Sequence, residues 1–130
     1  MKSDDVIVKD SLINGKGVFA TKNFKEGEVV LHWDISHLIT KEEFEKKTDQ
    51  EKTNIFLMDD RYGIMAEPEK YANHSCNANT TAKNFYDIAK RDISIGEEIT
   101  VDYSEALPPN VFLRCNCGSD NCKKIIKRSG

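Results

Sequence analysis

The sequence predicts a mainly β fold with short helices. Short segments of alternating or β-branched apolar residues recur along the chain, and such segments favour strands over helices. Glycine-containing turn sequences such as Asn14-Gly15, Lys25-Glu26-Gly27 and Ser94-Ile95-Gly96 separate them, and glycine permits the tight reversals that short strands need. The predicted strands run over Val6 to Val8, Gly17 to Thr21, Glu28 to Trp33, Ile55 to Met58, Tyr62 to Ala66, Phe85 to Ala89 and Glu98 to Tyr103.

A helix signal lies between the third and fourth predicted strands. Thr40 can cap the start of a helix, and Glu43, three residues later, can complete a capping box. Phe44 supplies one apolar contact, but the segment through Lys47 is otherwise highly charged, which predicts a short and exposed helix. A second short helix is predicted for Glu69 to Asn73, where the acidic first residue is favourable.

The composition is typical of one soluble globular domain. The chain has 130 residues and a mass of 14.8 kDa, with 32% charged and 38% hydrophobic residues. No apolar stretch is long enough to cross a bilayer, and no export signal follows Met1. The net charge of -3 argues against direct nucleic-acid binding. We therefore expect an intracellular protein, cytoplasmic or, in a eukaryote, nuclear.

The four cysteines have the number and spacing of a closed zinc site. Cys115, Cys117 and Cys122 form a C-x-C-x4-C pattern, and Cys76 ends the distant run Asn73-His74-Ser75-Cys76. Four thiolates can hold one structural zinc ion tetrahedrally. Two long-range disulfides or free thiols remain the alternatives, although nothing directs the chain to an oxidising compartment.

Four sequence blocks occur in a fixed order along the chain. They are Gly15 to Ala20, Asn73 to Asn79, Gly96 to Tyr103 and the C-x-C-x4-C tail. In this order they resemble the SET-domain protein lysine methyltransferases with a cysteine-rich post-SET segment, over about Val6 to Ile126. The resemblance implies a SET fold of small β-sheets with a knot-like C-terminal crossing and a post-SET zinc loop. We expect residues 1–107 to form the SET domain and residues 108–130, after Pro108-Pro109, to pack on it as one structural unit.

The resemblance assigns roles to individual residues. It implies that Lys16 and Gly17 contact S-adenosylmethionine through their backbone, since glycine allows positive φ and close approach to a ligand. It places Asn73 and His74 at the same cofactor and makes Tyr103 the catalytic tyrosine. Without the resemblance, the glycines would indicate only a hairpin turn, the Asn-His pair a structural role, and the tyrosine ordinary packing.

Two further residues are candidates for the wall of a lysine channel. Trp33 stands where many relatives have a channel tyrosine, and Val101 stands where a larger aromatic residue often limits the number of methyl groups added. A smaller residue at position 101 leaves more space, which favours multiple methylation.

The sequence therefore predicts an S-adenosylmethionine-dependent protein lysine N-methyltransferase with one structural zinc ion. Its expected partner is a protein or peptide that carries the target lysine, with a histone tail among the candidates. We expect no nucleic acid or membrane partner. The alternatives are a noncatalytic SET-like module that binds protein, and a small zinc protein unrelated to methyl transfer.

Overall fold

The computed structural model describes residues 5–13, 15–115 and 122–128. Within these ranges the chain forms small β-sheets linked by short helices, which confirms the predicted fold class. The strands are β1 (Val6–Asp10), β2 (Lys16–Ala20), β3 (Val29–His32), β4 (Leu38–Ile39), β5 (Ile55–Met58), β6 (Arg61–Ile64), β7 (Asn73–His74), β8 (Thr80–Lys83), β9 (Tyr86–Ala89), β10 (Glu98–Val101), β11 (Leu113–Arg114) and β12 (Ile125–Ile126).

The largest sheet brings the first and third sequence blocks together. Its strand order is β1-β2-β10-β7, and its pairs are antiparallel except for β10 with β7. The parallel pair aligns Thr100 with Asn73 and Val101 with His74. The Asn-His pair therefore lies directly beside the end of β10, two residues before Tyr103.

Two antiparallel sheets of three strands complete the body of the described structure. One has the order β3-β9-β8, and the other has the order β4-β6-β5. The sequence missed β8, because the polar run Thr80–Lys83 has no apolar alternation. Thr80 is nevertheless buried, and its hydroxyl donates to the carbonyl of Thr100 at 2.8 Å. Contacts between distant segments, rather than local propensity, place this strand.

The first helix forms as predicted, although it is shorter. It covers Lys41–Glu45 (α1), and Thr40 and Glu43 form the expected capping box. A second helix, Asp49–Lys52 (α2), carries the same signature at Thr48 and Glu51, which the sequence analysis overlooked. The other helical elements are the 3₁₀ helices Glu69–Tyr71 and Tyr103–Glu105.

The helix predicted for Glu69 to Asn73 is therefore cut to a single 3₁₀ turn. Asn73 lies in β7 instead and pairs with β10, so strand pairing overrides the local helical preference. None of the helices in the described ranges is long and apolar enough to cross a membrane.

The tail shares a hydrophobic core with the body of the domain. A first core lies under the larger sheets, with Val18, Leu31 and Ile99 at its centre. The second core joins α1, β5 and the tail, and consists of Phe44, Ile55, Leu107, Val111, Cys115 and Ile126. The boundary at residues 107 and 108 and the expectation of one structural unit stay predictions.

Candidate active site

Two cavities share part of their walls. The large cavity has a volume of about 480 Å³ and lies between the loop before β2, strand β7 and the tail. The small cavity has a volume of about 80 Å³ and lies between β5, β9 and the end of β10. The residues common to both walls are Thr53, Asn54, Lys70 and Tyr103. The predicted catalytic tyrosine thus stands at their junction.

The side chain of Asn73 holds the edge of the large cavity together. Its amide nitrogen donates to the Lys16 carbonyl at 2.9 Å, to Glu98 Oε2 at 2.9 Å and to Ser11 Oγ at 3.1 Å. The Ser11 hydroxyl in turn donates to Glu98 at 2.8 Å. One buried amide therefore fixes the turn before β2 against β10 and β7. The sequence analysis missed the roles of Ser11 and Glu98, because strand pairing brings these two residues into contact and their sequence positions are far apart.

The two glycines of the first block serve different purposes. Gly15 has a φ of 39° and lines the large cavity, and Lys16 lines the same cavity. Gly17 lies within the extended strand β2, does not use the positive φ that glycine permits, and is not part of the cavity wall. A Cβ at Gly17 would collide with the Glu98 carboxylate and lie 2.9 Å from Ser11 Cβ. Asn14, the other residue of the predicted turn, lies outside the described residues.

His74 connects the cavity to the cysteine cluster. Its Nδ1 accepts the backbone N–H of Tyr103 at 3.0 Å, and its Nε2 lies 3.4 Å from Cys76 Sγ. Burial lowers the pKa of His74, although the nearby Asp102 carboxylate opposes this shift. A neutral imidazole that accepts at Nδ1 carries its proton on Nε2, so it can donate to the Cys76 sulfur.

Tyr103 is held at the junction from both ends. Its hydroxyl donates to the Ala72 carbonyl at 2.7 Å, and its ring packs on His74 with centroids 5.3 Å apart. Burial raises the pKa of Tyr103 to about 12, and the Glu98 carboxylate adds to the shift. The phenol therefore stays neutral at physiological pH and acts as a hydrogen-bond donor. Asp102 caps the 3₁₀ helix that begins at this tyrosine, and its Oδ1 accepts the backbone N–H of Ser104 at 3.0 Å.

The described cysteines have the spacing of a metal-thiolate site. Cys76 Sγ lies 3.8 Å from Cys115 Sγ, which lies 3.5 Å from Cys122 Sγ. Sulfurs held tetrahedrally by zinc at about 2.3 Å are separated by about 3.8 Å. None of these three residues is in a disulfide, and Lys123 N–H donates to Cys76 Sγ at 3.2 Å. The residues present therefore fit a zinc ion. Cys117, the fourth predicted ligand, lies outside the described residues.

The tail closes the large cavity beside this cluster. Strands β11 and β12 pair Leu113 with Ile126 and Arg114 with Ile125. Leu113, Arg114, Cys115 and Ile126 line the cavity, whereas Ile125 is exposed. Of the two isoleucines of β12, only Ile126 lines the cavity.

Aromatic and carboxylate groups line the small cavity. Trp33 and Val101, the two predicted channel residues, are both part of its wall. The Trp33 ring packs on Phe56 with centroids 5.1 Å apart. Its indole Nε1–H donates to Asp87 Oδ2 at 2.9 Å. The sequence analysis did not find Asp87, which lies inside an apolar strand and gave no signal by itself.

Comparison with known proteins establishes the family. A family model described as SET domain matches residues 15–104, and the chain belongs to the SET-domain family. The chain is 32% identical over 140 residues to the Variant-silencing SET domain-containing protein of Plasmodium falciparum (isolate 3D7), covering 91% of this chain and 5% of that protein. It is 29% identical over 133 residues to Histone-lysine N-methyltransferase 2B of Homo sapiens, covering 89% and 5%.

A shorter relative shows the same relation. The chain is 27% identical over 156 residues to Histone-lysine N-methyltransferase Su(var)3-9 of Drosophila melanogaster, covering 93% of this chain and 24% of that protein. The chain thus spans a quarter or less of the length of these relatives. The family to which it belongs includes proteins named as histone-lysine methyltransferases.

Proposed function

We propose that this protein is an S-adenosylmethionine-dependent protein lysine N-methyltransferase. The observation that supports this most is the position of Tyr103, which stands where the large and small cavities share a wall. A methyl donor in the large cavity and a lysine side chain in the small one would meet at this residue. Holding two reactants in line can account for much of the acceleration of a displacement reaction.

The large cavity offers groups suited to the cofactor. Lys16, Asn73 and His74 line it on the side of β2 and β7, and Arg114 and Ile126 line it on the side of the tail. A cavity that combines apolar walls with a few hydrogen-bonding groups is typical of a cofactor site. When bound there, S-adenosylmethionine would supply the electrophilic methyl group. The Asn73 amide is occupied with internal partners, so its contribution is to position the Lys16 backbone.

The cysteine cluster would hold one zinc ion with a structural role. Cys76, Cys115 and Cys122 are the described ligands, and Cys117 is the fourth that the sequence provides. Four thiolates leave no open position for catalysis. The ion would tie the post-SET segment to Cys76, which directly follows the wall of the large cavity.

The small cavity would accept the lysine side chain. Trp33, Phe56 and Tyr103 offer aromatic faces to a cationic or methylated amine. The neutral Tyr103 hydroxyl would orient the amine, whose lone pair must point toward the large cavity. Val101 leaves space beside this position, so we expect more than one methyl group to be transferred.

The relatives and the net charge favour one substrate class. Two of the relatives described above are named for histone lysine, and a net charge of -3 suits a basic protein substrate. We propose a lysine-rich protein or peptide, with histones as the first candidates.

Labelled S-adenosylmethionine tests the proposal directly. The protein is incubated with a core-histone mixture or a lysate of its source cells, and labelled lysines are located by peptide mass spectrometry. Tyr103→Phe should retain cofactor binding by calorimetry but lose about 10²-fold or more in rate, because it lacks the orienting hydroxyl. Tyr86→Phe is the matched control, since Tyr86 lines neither cavity.

The outcomes separate the rival functions. Cofactor binding without methyl transfer to any protein would favour a noncatalytic module that binds protein. If zinc-loaded protein does not bind the cofactor at all, the methyltransferase proposal fails. Unchanged turnover by folded Tyr103→Phe would remove the role given to this residue.

A further inference from the structure

The small cavity contains a buried carboxylate with one oxygen unused. Asp87 is 2% exposed and lines the cavity. Its Oδ2 accepts the Trp33 indole N–H, but its Oδ1 is the one buried side-chain oxygen or nitrogen of the described residues without a hydrogen-bond partner. A buried polar atom without a partner loses its hydration and gains no hydrogen bond in return. A ligand that donates a hydrogen bond would satisfy this oxygen.

The surroundings indicate what that partner would be. Asp87 lies among other acidic groups, because Glu69 and Glu105 are close enough to act on its ionisation. The cavity also has the aromatic faces of Trp33 and Phe56. A carboxylate beside aromatic rings favours a cationic amine over an anion or a neutral apolar group.

We propose that Asp87 is a catalytic residue, which receives the ammonium of the substrate lysine at Oδ1 and accepts the proton that the amine must lose. This inference rests on the proposed function. In the step, one N–H bond of the ammonium breaks and its electron pair stays on nitrogen. An O–H bond forms at Asp87 Oδ1. The neutral amine then has the lone pair that methyl transfer requires.

The ionisation of Asp87 suits this role. Burial raises the pKa of Asp87 to about 7, the Trp33 hydrogen bond opposes the shift, and Glu105 and Glu69 add to it. A proton acceptor works best when its pKa is near the working pH. Three other ionisable residues line the same cavity and belong to its charge balance, namely Lys70, Asp102 and Tyr103.

Trp33 makes a test possible without any assay of activity. It is the only tryptophan of the chain and is hydrogen-bonded to Asp87, so intrinsic tryptophan fluorescence reports on this pair. We expect a fluorescence transition with a midpoint near pH 7 in the wild-type protein and none in Asp87→Asn. n-Butylammonium, which resembles the end of a lysine side chain, should lower the wild-type midpoint by about 1 to 3 pH units.

The activity measurement uses the same variant with core histones. Asp87→Asn should lower kcat at pH 7.5 by about 10²-fold or more relative to the wild type. This difference in kcat should be smaller at pH 9.5, because more of the substrate lysine is already neutral there. Cofactor affinity and the melting temperature serve as checks of folding. Trp33→Phe keeps the Asp87 carboxylate but loses the hydrogen bond that lowers the pKa of Asp87. The acidic limb in the pH profile of kcat should therefore persist in this variant and move to higher pH.

Each result decides the proposal. An unchanged pH profile in folded Asp87→Asn, or a wild-type midpoint insensitive to n-butylammonium, would overturn it. If Asp87→Asn does not fold, an unshifted acidic limb in Trp33→Phe would overturn it instead. Wild-type protein that neither binds the cofactor nor transfers methyl groups would refute the proposed function, whereas active wild type with an equally active Asp87→Asn would refute only the role of Asp87.

Discussion

At the scale of single residues, the side chains of Asn73 and His74 mainly hold other parts of the site in position, rather than offering free groups to a ligand. The Asn73 amide nitrogen is directed at Ser11, Lys16 and Glu98, and the His74 ring spans Tyr103 and Cys76. A substitution at either residue therefore changes the shape of the large cavity before it changes any ligand contact. A loss of cofactor binding in such variants has to be separated from a loss of folding.

An Asn73→Asp variant separates these effects by pH. The new carboxylate would face Glu98 Oε2, which the amide nitrogen contacts at 2.9 Å in the wild type. Two carboxylates at this distance repel each other and cannot both ionise easily. We expect a loss of about 2 to 4 kcal/mol of unfolding free energy at pH 7.5, which shrinks near pH 5 as the pair takes up a shared proton.

The comparison needs one control and one measurement. Asn77→Asp makes the same chemical change at an exposed position, and chemical denaturation at the two pH values gives the free energies. Equal destabilisation of Asn73→Asp at pH 5 and pH 7.5 would show that lost hydrogen bonds, rather than charge repulsion with Glu98, dominate at this position.

Sequence analysis located those candidate residues that a local sequence pattern marks. Tyr103, Asn73 and His74 were found from short motifs, and the structure places them on the wall of the large cavity. Asp87 was not found, because an acidic residue in an apolar strand is informative only once its burial and its contact with Trp33 are known. Burial of this kind is set by pairing between β3, β8 and β9, which no single segment encodes.

At the scale of elements, the same contrast holds. The capping box at Thr40 predicted α1 correctly, and the equivalent pair at Thr48 and Glu51 could have predicted α2. Strands β7 and β8 have no such local mark. Tertiary pairing creates them, so a period-based analysis could not have located them.

The tail is the element that we expect to depend most on the proposed zinc ion. Strands β11 and β12 contain two residues each and could not persist alone in water. Packing of Cys115 and Ile126 into the second core supports them, and the thiolate cluster lies at their ends. The order of the tail and the wall of the large cavity should therefore respond together to the metal.

Removal of zinc tests this coupling. Native protein should contain one zinc ion per chain by mass spectrometry, and a chelator should raise hydrogen exchange in residues 113–115 and 122–126. If only a tenth of the molecules keep an ordered tail, the apparent affinity for S-adenosylmethionine falls about tenfold. Cys76→Ser should have the same effect without a chelator, since it removes the ligand next to His74.

The alternatives predict different results. Metal-free protein whose cysteines resist alkylation until a reductant is added would indicate disulfides. A chelated protein that retains both tail protection and full cofactor affinity would show that the second core alone orders the tail.

At the scale of the whole molecule, Asp87 links the proposed chemistry to stability. Its carboxylate is buried with one oxygen unpartnered among the described residues, so its ionised form is unfavourable in the folded protein. Functional groups of this kind commonly reduce stability in exchange for activity. The protein should therefore be less stable at the pH at which Asp87 is able to accept a proton.

The sign and size of this effect follow from linkage. The pKa of Asp87 is raised from 3.8 to about 7 by folding, chiefly through burial. Its contribution to stability is fully present below pH 4 and is lost as the pH rises through 7, with an upper bound of about 4 kcal/mol. Asp87→Asn cannot ionise, so the difference in unfolding free energy, wild type minus variant, should fall by up to this amount between pH 4 and pH 8.

Urea denaturation of both proteins with saturating zinc measures this difference, and the subtraction cancels the pH dependence of metal binding that the two proteins share. Asp60→Asn, at an exposed position, is the matched control. If this difference in unfolding free energy is constant from pH 4 to pH 8, Asp87 ionises as easily in the folded protein as in the unfolded chain. The buried carboxylate would then not destabilise the fold.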